Sequence, residues 1–177
     1  MKVRADGWLS GVRRIPSPNC DARPSAKPVS LLVIHNISLP PGEFGGSAIA
    51  ELFTNRLNPQ AHPYFAGLAG LRVSAHFLIR RDGQIIQFVS CNRRAWHAGQ
   101  SEWKGQHRCN DFSLGIELEG TDTAAFCEAQ YRALARLTRC LRRRYPLNDL
   151  AGHSDIAPGR KTDPGPHFDW PRYRATL

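Results

Sequence analysis

The chain has 177 residues, of which 41% are hydrophobic and 22% are charged, and this composition excludes a largely disordered protein. Its formal net charge is +9, yet the basic residues are not accompanied by zinc-finger spacing, an RNA-binding aromatic motif or a leucine zipper. A nucleic-acid partner is therefore not expected, and a small acidic substrate fits the charge better, although a solvated basic face is the simpler alternative.

The N-terminus lacks an apolar signal segment, and no run reaches the roughly 18 apolar residues of a membrane span. These features predict a cytoplasmic protein with no membrane partner, and nothing indicates an obligate protein partner. The five cysteines are widely spaced without a C-x-x-C pair, which is typical of reduced structural thiols. The length fits one domain over residues 1–177, and four prolines within 1–30 predict an extended N-terminal arm packed on it.

The first strong element is the continuous apolar run 31–34, which predicts a strand buried on both faces. His35 would lie at the carboxyl end of this strand, where open α/β sheets bind ligands, although a hydrogen-bonded structural histidine is the alternative. Ser47 is expected to cap a short helix through Phe53, and residues 58–72 are expected to form a loop.

Two apolar runs, 74–79 and 84–89, flank an Asp-Gly pair and predict a β-hairpin. Residues 113–119 alternate in polarity as a strand does, and their small-residue face carries Glu117 and Glu119. That face is either solvated or the floor of a polar cleft. Around Trp96, small residues suit the wall of a cleft, and an ordinary packed tryptophan is equally compatible.

Cap residues at 121–123 predict the start of a long helix that continues to Tyr145 and ends at Pro146. Asp169 is expected to cap a short terminal helix containing Trp170 and Tyr173.

The segment 152–166 is too rich in proline and glycine for regular structure, and it carries His153, Lys161 and Asp163. His153 and Asp163, together with His35, meet the three-ligand count of a catalytic zinc site. Glu117 is the candidate general base, and Lys161 would stabilise the developing oxyanion. This combination indicates metal-assisted amide hydrolysis, but each residue also has an ordinary structural role open to it.

A more specific indication comes from eight segments spread over nearly the whole chain. They are residues 7–9, 33–46, 61–67, 71–76, 94–99, 110–113, 115–122 and 160–166. Through these segments the sequence closely resembles the AmpD family of cytosolic 1,6-anhydro-N-acetylmuramyl-L-alanine amidases of Gram-negative bacteria. That family belongs to the zinc amidase superfamily, which includes the peptidoglycan recognition proteins.

The resemblance implies an α/β domain with a mixed central β-sheet flanked by helices. It implies one Zn²⁺ per chain bound by His35, His153 and Asp163, with Glu117 as general base and Lys161 stabilising the tetrahedral intermediate. The implied reaction cuts the amide bond between the lactyl group of 1,6-anhydro-N-acetylmuramic acid and L-alanine in recycled muropeptides. In such bacteria this recycling also restrains the induction of β-lactamase.

Four residues are expected to bind this anhydromuropeptide substrate: Asn36, Arg72, Trp96 and Arg108. Trp96 is expected to line the sugar site, and the two arginines are expected to bind carboxylates of the peptide.

Two alternative functions stay open, an amidase acting on polymeric peptidoglycan and a non-catalytic muropeptide-binding module. The missing export signal weighs against the first, and the complete ligand set with Glu117 and Lys161 weighs against the second. Many relatives in the superfamily, phage amidases included, have cysteine where this chain has Asp163, which favours the AmpD-type branch.

Overall fold

A six-stranded mixed sheet forms the centre of the molecule, which a computed structural model describes for residues 1–24 and 27–177. The strands are β1 (Arg13–Arg14), β2 (Cys20–Ala22), β3 (Leu31–Ile37), β4 (Phe77–Ile79), β5 (Ile85–Gln87), β6 (Arg93–Ala95), β7 (Glu102–Trp103), β8 (Gln106–His107), β9 (Ser113–Glu119) and β10 (Asp149–Gly152). The helices are α1 (Ala48–Phe53), α2 (Pro63–Ala66), α3 (Glu128–Arg142), α4 (His153–Ile156) and α5 (Trp170–Ala175).

The central sheet has the order β1-β5-β4-β9-β3-β10. Its neighbouring strands run parallel except for the hairpin of β4 and β5, which is antiparallel. Two small antiparallel pairs, β2 with β6 and β7 with β8, lie outside this sheet. The predicted α/β fold with a mixed central sheet is thus confirmed.

Strand β3 lies in the interior of the sheet, with parallel neighbours on both sides. Its first four residues, the apolar run 31–34, are each 1% exposed or less, as the continuous run predicted. The strand is longer than expected, because its pairing with β9 continues to Ile37 opposite Glu119. His35 therefore lies near the carboxyl end of the strand, as expected, but two residues before its last residue.

The two faces of β3 and β9 have different roles. One face packs against α3 and forms the larger core, with Leu32, Ile34, Leu114, Ile116 and Leu118 among its buried residues. The other face carries Leu31 and Val33 into a smaller cluster and then opens towards polar residues. This alternation is the one predicted for residues 113–119, but all seven residues of β9 are buried.

The N-terminal segment takes part in the sheet rather than only lying along its surface. Strand β1 pairs with β5, β2 pairs with β6, and Leu9 is completely buried. Arg23 enters the interior, where its guanidinium donates to the backbone oxygens of Cys91, Asn110, Asp111 and Ser113 at 2.7–3.3 Å. These bonds attach the segment to the base of β9.

The hairpin and two short helices agree with the sequence-based expectations. The turn between β4 and β5 has Gly83 at φ +84°, and the Asp169 side chain accepts the backbone N–H of Arg172 at the start of α5. Helix α1 follows Ser47 as expected, but the Ser47 side chain makes no capping bond, and its hydroxyl donates to Glu51 Oε1 at 2.7 Å. Across residues 1–24 and 27–177, no helix has the length and apolar character that a membrane crossing requires.

Three local predictions are wrong. Helix α3 begins at Glu128, not at 121–123, because Asp122 bonds to Asn36 and the buried Gln130 accepts the N–H of Cys127 at the helix start. The helix ends at Arg142, short of Tyr145. The supposed loops at 58–72 and 152–166 each contain one helical turn, α2 and α4.

Candidate metal centre and cleft

The carboxyl ends of three adjacent parallel strands bring the predicted functional residues together. In the register of β3 and β9, His35 lies directly opposite Glu117, so both side chains project from the same face. Strand β10 ends at Gly152, which pairs with Ile34, and His153 follows at once as the first residue of α4. The sheet therefore places two histidines and one carboxylate side by side at its carboxyl edge.

Asp163 reaches this edge from the segment that follows α4. Its backbone oxygen accepts the N–H of Ser154 at 2.9 Å, which holds the returning chain against the first turn of α4. A second hydrogen bond stabilises the first turn of α4, because the Asp155 carboxylate accepts the N–H of Gly152 at 2.7 Å. These two hydrogen bonds thus set the position of Asp163 relative to His153.

Three potential ligand atoms form a small triangle. The Nδ1 atoms of His35 and His153 are 3.0 Å apart, and Asp163 Oδ2 lies 3.0 and 3.1 Å from them. The three side chains are 1%, 5% and 15% exposed. A tetrahedral ion bound at roughly 2.0–2.1 Å separates its ligand atoms by about 3.3 Å, close to this triangle. The cluster is therefore consistent with a metal site.

The protonation states favour a cation at this place. Burial is the main cause that lowers the pKa of His35, to about 4, so its ring is neutral near pH 7. Burial opposes ionisation of Asp163, but hydrogen bonds with His153 and His35 outweigh it and hold the pKa of the carboxyl below its usual range. A neutral imidazole and a carboxylate are the forms in which these side chains bind metals.

Glu117 differs from an ordinary structural carboxylate. Its side chain is buried and lines the cleft, and no group within the described parts of the chain bonds to its Oε2. Burial, and then the negative charge of Asp163, raise the pKa of Glu117 well above its usual value, while the charge of Lys161 acts in the opposite direction. A carboxylate with a raised pKa and a free oxygen is suited to accept a proton.

Glu119, the second carboxylate on this face, has a different role. Its two oxygens accept the backbone N–H groups of Gly45 and Arg81 at 2.8 and 3.1 Å. Of the two interpretations of this strand face, the floor of a polar cleft therefore holds at Glu117, while Glu119 joins two loops.

The cleft above the triangle has a volume of about 870 Å³. Its walls include Asn36, Trp96 and Lys161, each of which was predicted to contact substrate or the reacting group. The Asn36 side chain donates to Asp122 Oδ1 at 2.6 Å, which fixes one wall. The space is large enough for a sugar with part of a peptide.

Arg72 and Arg108 do not belong to the lining of this cleft. Arg72 is exposed and borders a separate groove of about 150 Å³. The side chain of Arg108 is 71% exposed, and its Nε lies 3.5 Å from Asp111 Oδ2. Their predicted contacts with substrate carboxylates would have to lie beyond the rim of the cleft.

Two neighbouring residues were missed by the sequence analysis. Arg160 donates to the backbone oxygens of Ala98 and Gln100, and Ala98 oxygen is also 3.1 Å from His153 Nε2. His97 lies behind His35, with its Nδ1 2.9 Å from His35 Nε2. The only available signal was the cluster of small residues around Trp96, which indicated a cleft wall but not this contact.

Comparison with known proteins agrees with this geometry. The sequence model of the family described as N-acetylmuramoyl-L-alanine amidase matches residues 25–166. The chain belongs to this family. The 1,6-anhydro-N-acetylmuramyl-L-alanine amidase AmpD of Citrobacter freundii is 63% identical, over 97% of this chain and 93% of that protein. The prediction of an N-acetylmuramoyl-L-alanine amidase is therefore confirmed.

Two solved structures add to this comparison. A crystal structure of a selenomethionine AmpD derivative has a TM-score of 0.97 and 61% identity, and the match covers 100% of this chain and 99% of that one. The Escherichia coli amidase AmiD, in complex with the substrate anhydro-N-acetylmuramic acid-L-Ala-D-γ-Glu-L-Lys, has a TM-score of 0.62 and 32% identity. That match covers 86% of this chain and 59% of AmiD. The roles of individual site residues stay predictions.

Proposed function

We propose that residues 1–177 act as one amidase domain that cuts the amide bond between the lactyl group of 1,6-anhydro-N-acetylmuramic acid and L-alanine. The substrate is an anhydromuropeptide recycled from peptidoglycan in the cytoplasm, and its removal would restrain β-lactamase induction. The observation that carries the proposal is the triangle of His35, His153 and Asp163 beside the free oxygen of Glu117. The name of the similar AmpD protein of Citrobacter freundii indicates the substrate.

We propose Zn²⁺, one per chain, as the ion held by this triangle. Two imidazole nitrogens and one carboxylate oxygen are a common donor set for catalytic zinc, and three protein ligands leave the fourth position of a tetrahedron open. Bound there, zinc would act as a Lewis acid on the scissile carbonyl and lower the pKa of water.

Residues of the chain transfer the proton, stabilise the developing charge and orient the substrate. Glu117 accepts the proton of the attacking water and passes it to the leaving amine of L-alanine, for which its raised pKa is suited. Lys161, exposed in the same cleft, places a positive charge near the oxygen on which negative charge develops. Trp96 and Asn36 form walls against which the sugar and its lactyl group are oriented.

The test is to incubate the purified protein with anhydromuropeptide and, separately, with intact peptidoglycan sacculi, and to follow released peptide by mass spectrometry. Each reaction is run with and without a chelator, and zinc is added back to the chelated sample. We expect rapid release from the anhydromuropeptide, loss of release with chelator, and recovery with zinc.

Comparable rates on sacculi would replace the proposed substrate with polymeric peptidoglycan. Binding without release on either substrate would instead support a non-catalytic muropeptide-binding module.

A further inference from the structure

His97 contacts the candidate metal ligand His35 on the side away from the triangle of His35, His153 and Asp163. The two rings meet edge to face, with centroids 5.0 Å apart, and His35 Nε2 lies 2.9 Å from His97 Nδ1. On the far side of His97, its Nε2 lies 3.2 Å from the hydroxyl oxygen of Ser113. All three side chains are buried, so these are the contacts that satisfy their polar atoms.

The positions of the ring protons follow from this chain of contacts. A neutral imidazole has one N–H and one lone pair. If Nδ1 of His35 offers its lone pair to a metal, its Nε2 carries the hydrogen and donates to His97 Nδ1. His97 then carries its own hydrogen on Nε2 and donates to Ser113 Oγ.

The absence of a side chain at Gly115 leaves space for the His97 ring. Gly115 lies on β9 next to Val33 of β3, under the imidazole. A Cβ atom on Gly115 would lie 2.5–2.8 Å from three ring atoms of His97, far closer than van der Waals contact allows. Only glycine therefore leaves room for the His97 ring at the place where it contacts His35.

The second candidate ligand has a comparable partner. His153 Nε2 lies 3.1 Å from the backbone oxygen of Ala98, the residue that follows His97. One segment of chain thus provides an acceptor for each of the two imidazoles. Such outer partners fix the orientation and tautomer of metal-binding histidines.

We propose that His97 is a positioning residue of the metal centre, which accepts the Nε2 hydrogen of His35 and thereby holds His35 Nδ1 towards the metal. This inference rests on the proposed function, because it assumes that the triangle of His35, His153 and Asp163 binds zinc.

The experiment compares His97→Phe with His97→Asn in the full-length protein. Phenylalanine keeps a flat ring but has no acceptor, whereas the Oδ1 atom of asparagine lies near the place of Nδ1 and accepts a hydrogen bond. Zinc affinity is measured by competition with a chromogenic chelator. We expect His97→Phe to weaken zinc binding by about 10–100-fold, and His97→Asn to restore most of the affinity.

Two further measurements separate this role from a merely structural one. Cobalt-loaded protein should show a changed visible spectrum in His97→Phe and a spectrum close to wild type in His97→Asn. Circular dichroism in chelator establishes that each variant is folded, and His97→Leu replaces the phenylalanine variant if that protein does not fold.

The outcomes are distinguishable. A wild-type protein that binds no zinc would overturn the proposed function itself. A wild-type protein that binds zinc, with folded variants of equal affinity, would overturn only the inference about His97. Equal loss in the phenylalanine and asparagine variants would also overturn it, because packing rather than the acceptor would then be responsible.

Discussion

Substituting alanine for Gly115 tests how tightly the sheet and His97 fit together. The added Cβ atom would lie 2.5 Å from His97 Cγ, about 0.9 Å inside the 3.4 Å at which ordinary contact begins. His97 has little room to move, because its ring contacts His35 and Ser113 and its backbone N–H donates to Asn110 Oδ1. Overpacking of this kind costs about 1–3 kcal/mol.

We therefore expect Gly115→Ala to lower the free energy of unfolding by about 2 kcal/mol, measured by urea denaturation in chelator so that metal binding does not contribute. With a typical slope of roughly 2 kcal/mol per molar urea, the midpoint would fall by about 1 M. Gly46→Ala is the matched control, since a Cβ there would meet nothing within 4 Å. Equal midpoints for the two variants would refute the proposed fit.

Five further substitutions test the site and its surroundings. Glu117→Gln should keep its zinc but lose about 10²–10⁴-fold in kcat, and near-wild-type turnover would exclude Glu117 as general base. Asp163→Ala should lower the zinc content measured by elemental analysis, and a fully metallated variant would contradict its role as a ligand. Replacing Arg72 or Arg108 by alanine should raise KM more for a peptide with free carboxylates than for an amidated one, and equal effects would exclude carboxylate binding. Burial, reinforced by a neighbouring arginine, lowers the pKa of His76 well below 6.5, so the unfolded chain gains a proton there that the folded chain does not. The free energy of unfolding in chelator should therefore fall, because of this residue, by about 1.4 kcal/mol for each pH unit below ~6.5. His76→Gln should remove this contribution from the pH dependence measured by urea denaturation. A variant with the same pH dependence as wild type would contradict the lowered pKa of His76.

The parts of the fold that could be predicted are those with local signals. The run 31–34 is apolar on both faces, so it identified the buried strand, and the Asp-Gly pair identified the hairpin. The start of α3 could not be predicted in this way. Asp122 is a good cap residue in isolation, but its carboxylate is bonded to Asn36, 86 residues away.

The candidate site likewise contains residues that could be recognised from the sequence and one contact that could not. His153 and Asp163 lie ten residues apart, and the preference of zinc for such side chains made them recognisable in the sequence. The contact of His97 with His35 joins residues 62 apart and depends on the absence of a side chain at Gly115. A pattern of residue types cannot reveal such a contact without the register of the strands.

The contacts of Arg23 affect where a minimal active fragment of the protein can begin. The family match starts at residue 25, two positions after this side chain. Yet its guanidinium donates to the backbone oxygens of Asn110, Asp111 and Ser113. The hydroxyl of the same Ser113 contacts the imidazole of His97. A protein trimmed to the matched region would therefore lose a support beneath the candidate metal centre, although every candidate ligand would still be present.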